Sequence, residues 1–541
     1  MDTLANQFSN QVAEQYARLT NSRRGFVLSI DQGTTSTRCI IFDGRGEIAS
    51  RSQLPHEQIF PHPGWVEHDP EEIRLNIRRV MADAAASEDI TPEEIAAVGI
   101  TNQRETTVIW DRATGEPIYN AIVWQDTRTS DLVDALTDEE QELIQERTGL
   151  PPSTYFAASK IRWILDNVDG ARERAERGEL AFGTIDTWVI WELTRSSRSR
   201  SADRSGRRSG AKAGRQRAKH VTDVTNASRT MLMDLSTQQW DEELCKIWDI
   251  PVSLLPEIVS SSEVIGRVRR SGPVQGVPIA GILGDQQAAA FGQACLEPGD
   301  AKSTYGTGSF LLLNTGDEPQ RSKHGLITTI AYQLGNQPPK YALEGSIAVT
   351  GSLVQWLSDA LGFFNTADEI EPLARSVDDN GGCYVVPAFS GLLAPRWRPE
   401  ARGVITGLTR YVTKAHIARA ALEATAFQTR EVVEAMNADS GVPLTSLKAD
   451  GGMVENNLLM QFQADQLGVS VTIPKITETT CLGAAYAAGL AVGFFRDEEE
   501  IRRLWQEEHT FTPRASEEER DELYRMWNKA VERTFGWAAN A

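Results

Sequence analysis

Cysteine is scarce in this chain: five residues in 541 (Cys39, Cys245, Cys295, Cys383 and Cys481), with neither paired spacing nor a metal-finger pattern. That excludes a disulfide scaffold and fits reduced thiols in a cytosol, and no chemistry is assigned to them. Long apolar runs are missing too. The longest, near Leu482 to Phe495, has only about 14 residues and is rich in Gly and Ala, which is too short for a bilayer span and suits a buried helix. No basic stretch followed by an apolar run stands near Met1, so a secretory signal is not expected and a cytoplasmic location is. Positive charge is in deficit: the formal net charge is −20, so nucleic acid is not an expected partner, because phosphate backbones need clustered Lys and Arg. Lysine is scarcer still, 11 residues against 44 Arg. A Lys-poor, acid-rich composition matches proteins of very salty cytoplasms, although a GC-rich genome with ordinary solubility charge gives the same balance.

What is present is enough apolar material for a large globular protein: 40% hydrophobic residues with 7% aromatics. At 541 residues the chain exceeds one hydrophobic core, so two lobes are expected, each built on its own sheet, with the cleft between them as the default site. Residues 1–24 form an extension in which Leu4, Phe8, Val12, Tyr16 and Leu19 recur at helical spacing. From Gly25 the pattern turns to β, with Phe26–Ile30 and Arg38–Asp43 flanking a Gly/Thr turn as a hairpin. Ile73, Ile77, Val80, Met81 and Ala84 mark one face of a helix, and Thr91-Pro92 opens a short helix before a strand at Ala97–Thr101. This alternation points to an α/β architecture. A second strand–turn–strand at Ala301–Asn314 echoes the first about 270 residues on, the mark of an internal duplication. Helices are expected at His416–Met436 and Asn456–Leu467. The lobe boundary is placed near Gly292–Pro298, giving lobes 25–292 and 293–541. Arg195–His220, with ten Lys or Arg against one Asp, reads as a solvated, disordered insertion within the first lobe.

Several short elements carry chemistry. In Asp31-Gln32-Gly33-Thr34-Thr35-Ser36 the glycine permits a tight turn whose N–H groups and hydroxyls can face a phosphate, and Asp31 can hold Mg²⁺ through water. Plain turn chemistry also accounts for these residues. Tyr305-Gly306-Thr307-Gly308-Ser309 repeats the composition in the other lobe, as two hairpins closing on one triphosphate would. Asp450-Gly451-Gly452-Met453-Val454-Glu455-Asn456-Asn457 leads into a helix and offers bare backbone to an adenosine, with Asn456 also suited to capping the helix. Asp285, in Gly284-Asp285-Gln286-Gln287, stands at a strand-to-helix edge, either as a base accepting the proton of an attacking hydroxyl or as an N-cap. Arg104-Glu105 sets a donor fork beside an acceptor, the pairing that fixes a polyol, or else a surface ion pair.

Taken in order, the strings DQGTTSTR, PGWVEHDP, GITNQRETT, YNAIVWQDTR, TYGTGSF and DGGMVENN resemble the FGGY carbohydrate kinase family, and within it the members that phosphorylate glycerol. The likeness runs from about Gly25 to the C-terminus. It implies two lobes of the actin/Hsp70-like (ribonuclease H-like) ATPase fold. It implies that Thr34, Thr35, Ser36, Arg38 and Thr307 contact ATP phosphates and that Gly351, Gln355, Gly452 and Asn456 surround the nucleotide. For glycerol it implies hydrogen bonds from Arg104, Glu105, Tyr155, Asp285 and Gln286 and an apolar wall of Trp124 and Phe310. Asp285 corresponds to the base of the family and Asp31 to its metal-side carboxylate, with Mg²⁺ held by Asp31 and Asp285. The implied reaction is in-line transfer from ATP to give sn-glycerol 3-phosphate and ADP, and a homodimer or homotetramer is the family expectation. Residues 1–24 and the basic insertion have no counterpart in the family pattern. Arg270–Val277 keeps only part of the Gly/Arg composition with which some bacterial members bind fructose 1,6-bisphosphate, which argues against that effector. The competing readings are a family member acting on a pentulose or another polyol and, from a different class, a non-catalytic actin-like nucleotide switch.

Overall fold

The computed structural model describes residues 25–195, 218–269, 274–389 and 391–538. The expected helix in residues 1–24, nearly all of the basic segment 195–220 and Arg270–Pro273 of the effector stretch lie outside the described residues. The chain divides into two compact units. Unit 1 takes the chain up to Ala294 together with Thr329–Lys340 and Glu478–Leu504, and unit 2 takes Cys295–Thr328, Tyr341–Thr477 and the chain from Trp505 on. The units are thus discontinuous in sequence, unlike a single cut at 292/293.

Unit 1 is built on a six-stranded sheet. Its strands are β1 (Phe26–Gln32), β2 (Ser36–Asp43), β3 (Ile48–Pro55), β4 (Ile95–Asn102), β5 (Ser262–Arg267) and β6 (Pro278–Gly284), in the spatial order β5-β6-β4-β1-β2-β3. β1 and β2 form the expected hairpin, closed by Gly33 N–H on the Ser36 carbonyl at 3.0 Å. Val27, Leu28 and Ile30 are fully buried, as a central strand requires. Helix α1 (Pro70–Ser87) buries Ile73, Ile77, Val80, Met81 and Ala84, the face that the sequence period marks. It starts where Asp69 accepts from Glu71 N–H and Pro70 takes the first turn. Helix α2 (Ala157–Asn167) is amphipathic as well, and α3 (Asp285–Gly292) leaves the end of β6 without a loop.

A seven-stranded sheet, most of whose strands belong to unit 2, is formed by β7 (Asp300–Tyr305), β8 (Ser309–Gly316), β9 (Ile327–Tyr332, which runs into the Thr329–Lys340 stretch counted with unit 1), β10 (Lys340–Ile347), β11 (Ser446–Asp450), β12 (Ser470–Pro474) and β13 (Glu507–Phe511), in the order β9-β10-β8-β7-β11-β12-β13. Its helices include α4 (Gly351–Asp359), α5 (Lys414–Ser440) and α6 (Asn457–Leu467). Helix α5 outruns the expected His416–Met436 by a turn and stops at Gly441, whose φ of +65° suits glycine.

The duplication is plain in the pairings. β1 lies antiparallel to β2 and parallel to β4, and β7 lies antiparallel to β8 and parallel to β11. β6 then follows β4 in parallel and pairs antiparallel with β5, just as β12 follows β11 and pairs with β13. Each central strand is preceded by its long helix, α1 before β4 and α5 before β11.

The apolar stretch near Leu482 becomes helix α7 (Thr479–Ala491), with Cys481 to Gly489 buried. It is the helix after β12, as α3 is the helix after β6, but it packs within unit 1, and that is why the units are discontinuous. Its Gly and Ala content has a steric cause. A Cβ on Gly483 would lie 1.8 Å from the Ala288 carbonyl oxygen of α3, and one on Gly292 would lie 2.1 Å from that of Thr479. On the sheet side, a Cβ on Gly99 of β4 would lie 2.2 Å from the Ala484 oxygen and one on Gly281 of β6 2.5 Å from the Ala488 nitrogen. Backbones this close admit no side chain between them. Replacing Gly483 by Val should therefore destabilise the fold by about 3 kcal/mol or prevent folding. Urea unfolding against wild type measures this, and a variant of unchanged midpoint would refute the packing argument.

Candidate active site

In unit 1 the parallel strands β1, β4 and β6 end level with one another, because Gln32 and Gly284 are both register partners of Asn102. The residues that follow are Gly33-Thr34-Thr35, Gln103-Arg104-Glu105 and Asp285-Gln286. Three separate motifs of the sequence thus arrive at one sheet edge, the carboxyl ends of parallel strands where open α/β sheets bind ligands.

Arg104 is the hub. Its Nε lies 3.2 Å from Asp285 Oδ1 and 3.9 Å from Glu105 Oε1, and its Nη1 donates to Gln287 Oε1 at 3.2 Å. Arg104 and Glu105 are 3% and 1% exposed, so the surface ion pair reading is excluded. Glu105 has φ +62°, a left-handed conformation uncommon outside glycine and one that marks positions set by function. Its carboxylate accepts from Arg229 Nε at 2.7 Å. Two carboxylates and two guanidiniums therefore stand together with balanced charge, which is what makes their burial tolerable. The capping reading of Asp285 does not hold as such: α3 begins at Asp285, its N-cap is Gly284, and Asp285 Oδ1 takes the adjacent Gln286 N–H at 2.7 Å. Asp285 is the least buried member of the group, its side chain 30% accessible. Gly284 cannot be larger, since a Cβ there would meet Arg104 Cγ at 2.8 Å and Cδ at 2.7 Å.

An aromatic wall adjoins the turn after β1. Trp124 Nε1 donates to Thr34 Oγ1 at 3.0 Å, and its ring meets Tyr155 edge-on at 5.4 Å. The Arg229 guanidinium stands 5.8 Å from the Tyr155 ring, tying this wall to Glu105. Ser36 accepts from Gln53 Nε2, Thr35 is exposed, and Arg38 is ion-paired with Glu478, the residue before α7. Burial pushes the Asp31 carboxyl up to about 7; Asp285 and Glu478 push the same way and Arg38 opposes them. Among the described residues no cluster of three or more His, Cys, Asp or Glu could hold a metal by itself. One or two carboxylates with water are nonetheless what Mg²⁺ prefers, and Asp31 with Asp285 meets that requirement.

Unit 2 contributes a cavity of about 770 Å³, lined in part by Thr307, Gly351, Gln355, Gly452 and Asn456, all five of the expected nucleotide residues of that unit. Three glycines, Gly306, Gly351 and Gly452, are among its lining. A Cβ on Gly351 would meet the Gly306 oxygen at 2.5 Å, and Gly451, at φ +92°, lies with its Cβ position 2.4 Å from the Tyr305 oxygen. The Thr307 carbonyl accepts from Thr350 N–H and Ser352 N–H, both at 3.1 Å, so the turn after β7 is strapped to the start of α4 with the Thr307 side chain exposed. Asn456 does cap α6, accepting from Leu459 N–H at 2.9 Å. Phe310 lies on β8 of unit 2, half-buried, while the other expected glycerol residues belong to unit 1.

Sequence reasoning missed Arg229, the partner of Glu105, and Glu478, the partner of Arg38. It missed Glu371, whose carboxylate accepts from Asn457 and Leu458 N–H at 3.1 and 3.2 Å and so holds the start of α6. It also missed Lys160 of α2, fully buried, whose Nζ donates to the carbonyls of Thr154, Tyr155 and Phe156. Burial lowers that ammonium to about 7. For Arg229 a signal existed: Thr222-Asp-Val-Thr-Asn-Ala-Ser-Arg229 is a polar run, and every residue in it is buried.

Comparison with known proteins identifies the family. Residues 26–292 match the N-terminal domain, and residues 301–492 the C-terminal domain, of the FGGY family of carbohydrate kinases. A glycerol kinase of Saccharopolyspora erythraea is 62% identical over 513 residues, 95% of this chain and 99% of the relative, and one of Nocardia farcinica is 61% identical over 522 residues, 95% and 100%. Among solved structures, a Plasmodium falciparum glycerol kinase with ADP superposes with a TM-score of 0.86 at 41% identity, covering 94% of this chain and 98% of that one. A xylulose kinase of Lactobacillus acidophilus, 21% identical with a TM-score of 0.81 over 94% and 97% of the two chains, shares the two-domain fold. The chain belongs to the FGGY family of carbohydrate kinases.

Proposed function

We propose that the protein is an ATP-dependent glycerol kinase, taking glycerol and ATP to sn-glycerol 3-phosphate and ADP in glycerol uptake and catabolism. The observation that carries this reading is the Arg104–Asp285 contact at 3.2 Å with Glu105 alongside, a fork of donors and acceptors sized for adjacent hydroxyls. Arg104 donates to a substrate hydroxyl, Glu105 accepts from one, and Tyr155 and Gln286 add polar contacts. Trp124 and Phe310 take the hydrocarbon edge, and the three-carbon chain is thereby oriented so that one terminal hydroxyl meets Asp285. Asp285 accepts that hydroxyl's proton as the oxygen attacks the γ-phosphorus in line and ADP leaves, with no covalent enzyme intermediate. Thr34, Thr35, Ser36, Arg38 and Thr307 receive the phosphates, and the unit 2 cavity receives the nucleoside. Asp31 and Asp285 would hold Mg²⁺, which would supply neutralisation of phosphate charge when bound.

The alternative substrate, a pentulose or another polyol, has weaker support: the xylulose kinase cited shares 21% of its residues with this chain, against 62% for the glycerol kinase of S. erythraea. A non-catalytic nucleotide switch has no use for a partly accessible carboxylate beside a polyol clamp. A cytoplasmic setting is consistent with five buried free cysteines and with the lack, among the described residues, of any helix long and apolar enough to cross a membrane. Assembly as a homodimer or homotetramer belongs to the same reading.

Asp285→Asn should lower kcat by about 10³-fold while calorimetry still detects ATP binding. Retention of full glycerol-dependent ADP release would end the mechanism, and faster turnover of xylulose or erythritol than of glycerol in the wild type would end the substrate assignment. Gly351→Val should raise KM for ATP at least about tenfold, from the side chain it forces onto the Gly306 carbonyl, with KM for glycerol unchanged; equal changes in both would argue against the cavity as the nucleoside site. If the Lys-poor surface is an adaptation to salt, activity should rise from low to molar KCl, and loss of activity in molar KCl would assign the composition to genome bias instead.

A further inference from the structure

Asp285 directly follows the last residue of β6, so its direction is set by the backbone at Gly284. On its outer side β6 is paired with β5 only as far as Gly281, opposite Ser262. Beyond that point β6 has lost its strand neighbour on this edge. The Ile282 N–H is taken by the Ser261 carbonyl at 2.9 Å, and the next N–H on the same edge, that of Gly284, is taken by the Thr225 hydroxyl at 2.9 Å. A side chain thus replaces the missing strand at the residue before the base.

The hydroxyl is itself held. Thr225 Oγ1 donates to the Asp223 carboxylate, at 2.8 and 2.9 Å from its two oxygens, so its lone pair is turned toward Gly284. Asp223 is anchored by four further donors: Thr225 N–H (3.1 Å), Asn226 N–H (3.0 Å), Asn226 Nδ2 (3.0 Å) and Ser261 Oγ (2.7 Å). Asn226 extends the same grip to the other strand, accepting from Asn102 Nδ2 at 3.0 Å just ahead of Gln103-Arg104-Glu105. Asp223, Thr225, Asn226 and Asn102 are fully buried. No water competes for the hydroxyl, and a lost partner leaves its mate unsatisfied.

We propose that Thr225, oriented by Asp223, is a positioning residue for Asp285, holding the β6–α3 junction at the height where the carboxylate meets both Arg104 and the reacting hydroxyl. This rests on Asp285 being the base, as proposed above. Two readouts separate the positioning role from that assignment. The first is hydrogen exchange of the purified full-length protein, followed by mass spectrometry on the peptide carrying Gly284 to Gln287, which needs no substrate. Thr225→Val, nearly equal in volume, should make that peptide exchange at least about tenfold faster, and Thr225→Ser should restore protection. The second is kinetics: Thr225→Val should lower kcat at least about tenfold with KM for ATP within twofold, and Thr225→Ser should regain most of the rate.

Thr222→Val is the control. Thr222 is a buried threonine of the same segment, its hydroxyl 2.7 Å from Asp186, and it has no bond to the junction. It should lower the melting temperature but keep kcat within twofold and leave the exchange of the junction peptide unchanged. Unaltered junction exchange in Thr225→Val, or an equal loss of kcat in Thr222→Val, would overturn the positioning role. Faster exchange in Thr225→Val with an unchanged kcat would sever the junction from catalysis and overturn it as well. An inactive wild type whose junction peptide responds as described would remove the assignment of Asp285 as base and, with it, this role in catalysis.

Discussion

Everything the candidate site does depends on the register of parallel strands. Gln32, Asn102 and Gly284 close β1, β4 and β6 at one level, so the segments that leave them share about 10 Å of sheet edge. Parallel strands are joined by long crossovers, which is why residues 31, 104 and 285 meet although 73 and 181 residues separate them along the chain. A slip of one residue in β6 would turn Leu283 into the place of Gly284 and set a side chain against the Arg104 stem. The same device recurs in unit 2, where Thr304 of β7 pairs with Asp450 of β11 and the turns carrying Thr307 and Gly452 emerge together.

Register alone would not hold charged groups in a buried edge. Arg104, Glu105 and Arg229 are at most 3% exposed, and isolated they would be very costly to bury. Each instead has a named partner, and the less buried Asp285 closes the chain of alternating charges. Such an arrangement adds little net stability over an apolar core, but removing one member strands the others. Its worth is in fixed direction: a polyol presents hydroxyls that both donate and accept, and a rigid alternation of guanidinium and carboxylate can match them. Beneath this edge the backbones of β4, β6, α3 and α7 touch through Gly99, Gly281, Gly292 and Gly483, so the platform has little room to shift.

The two hairpins, the helical faces of α1 and α5, the burial of the stretch at Leu482 and the strand-to-helix step at Asp285 were all legible in the sequence. Each is encoded locally, by a period of 2 or 3.6 or by glycine and hydroxyls at a turn. The expected nucleotide residues Thr307, Gly351, Gln355, Gly452 and Asn456 line one cavity, but Gly351 and Gln355 among them were implied by the family resemblance alone and carry no local signal of their own. What could not be read were the long-range partners. Arg229 meets Glu105 across 124 residues and Glu478 meets Arg38 across 440, and no local pattern announces either pairing. The placement of α7 within unit 1 was hidden likewise, because an all-round apolar helix states that it is buried but not in what.

The two halves share a topology and diverge in what they place at equivalent strand ends. After β4 the chain runs Gln103-Arg104-Glu105, and after its counterpart β11 it runs Gly451-Gly452. After β6 comes Asp285 at once, and after β12 come Lys475, Ile476 and Thr477 before Glu478. One unit therefore presents long charged side chains at its sheet edge and the other presents backbone stripped of side chains. The difference follows from the sizes of the two substrates proposed. A three-carbon polyol is too small to touch a wide surface and must be reached by side chains that converge on its few hydroxyls. A nucleoside is large and flat, gains most from contact along a smooth floor, and is excluded by any Cβ that rises from it. On the proposed function, a duplicated scaffold with strand ends in register supplies both kinds of site, and the residues that differ between the copies divide the labour of a two-substrate transfer.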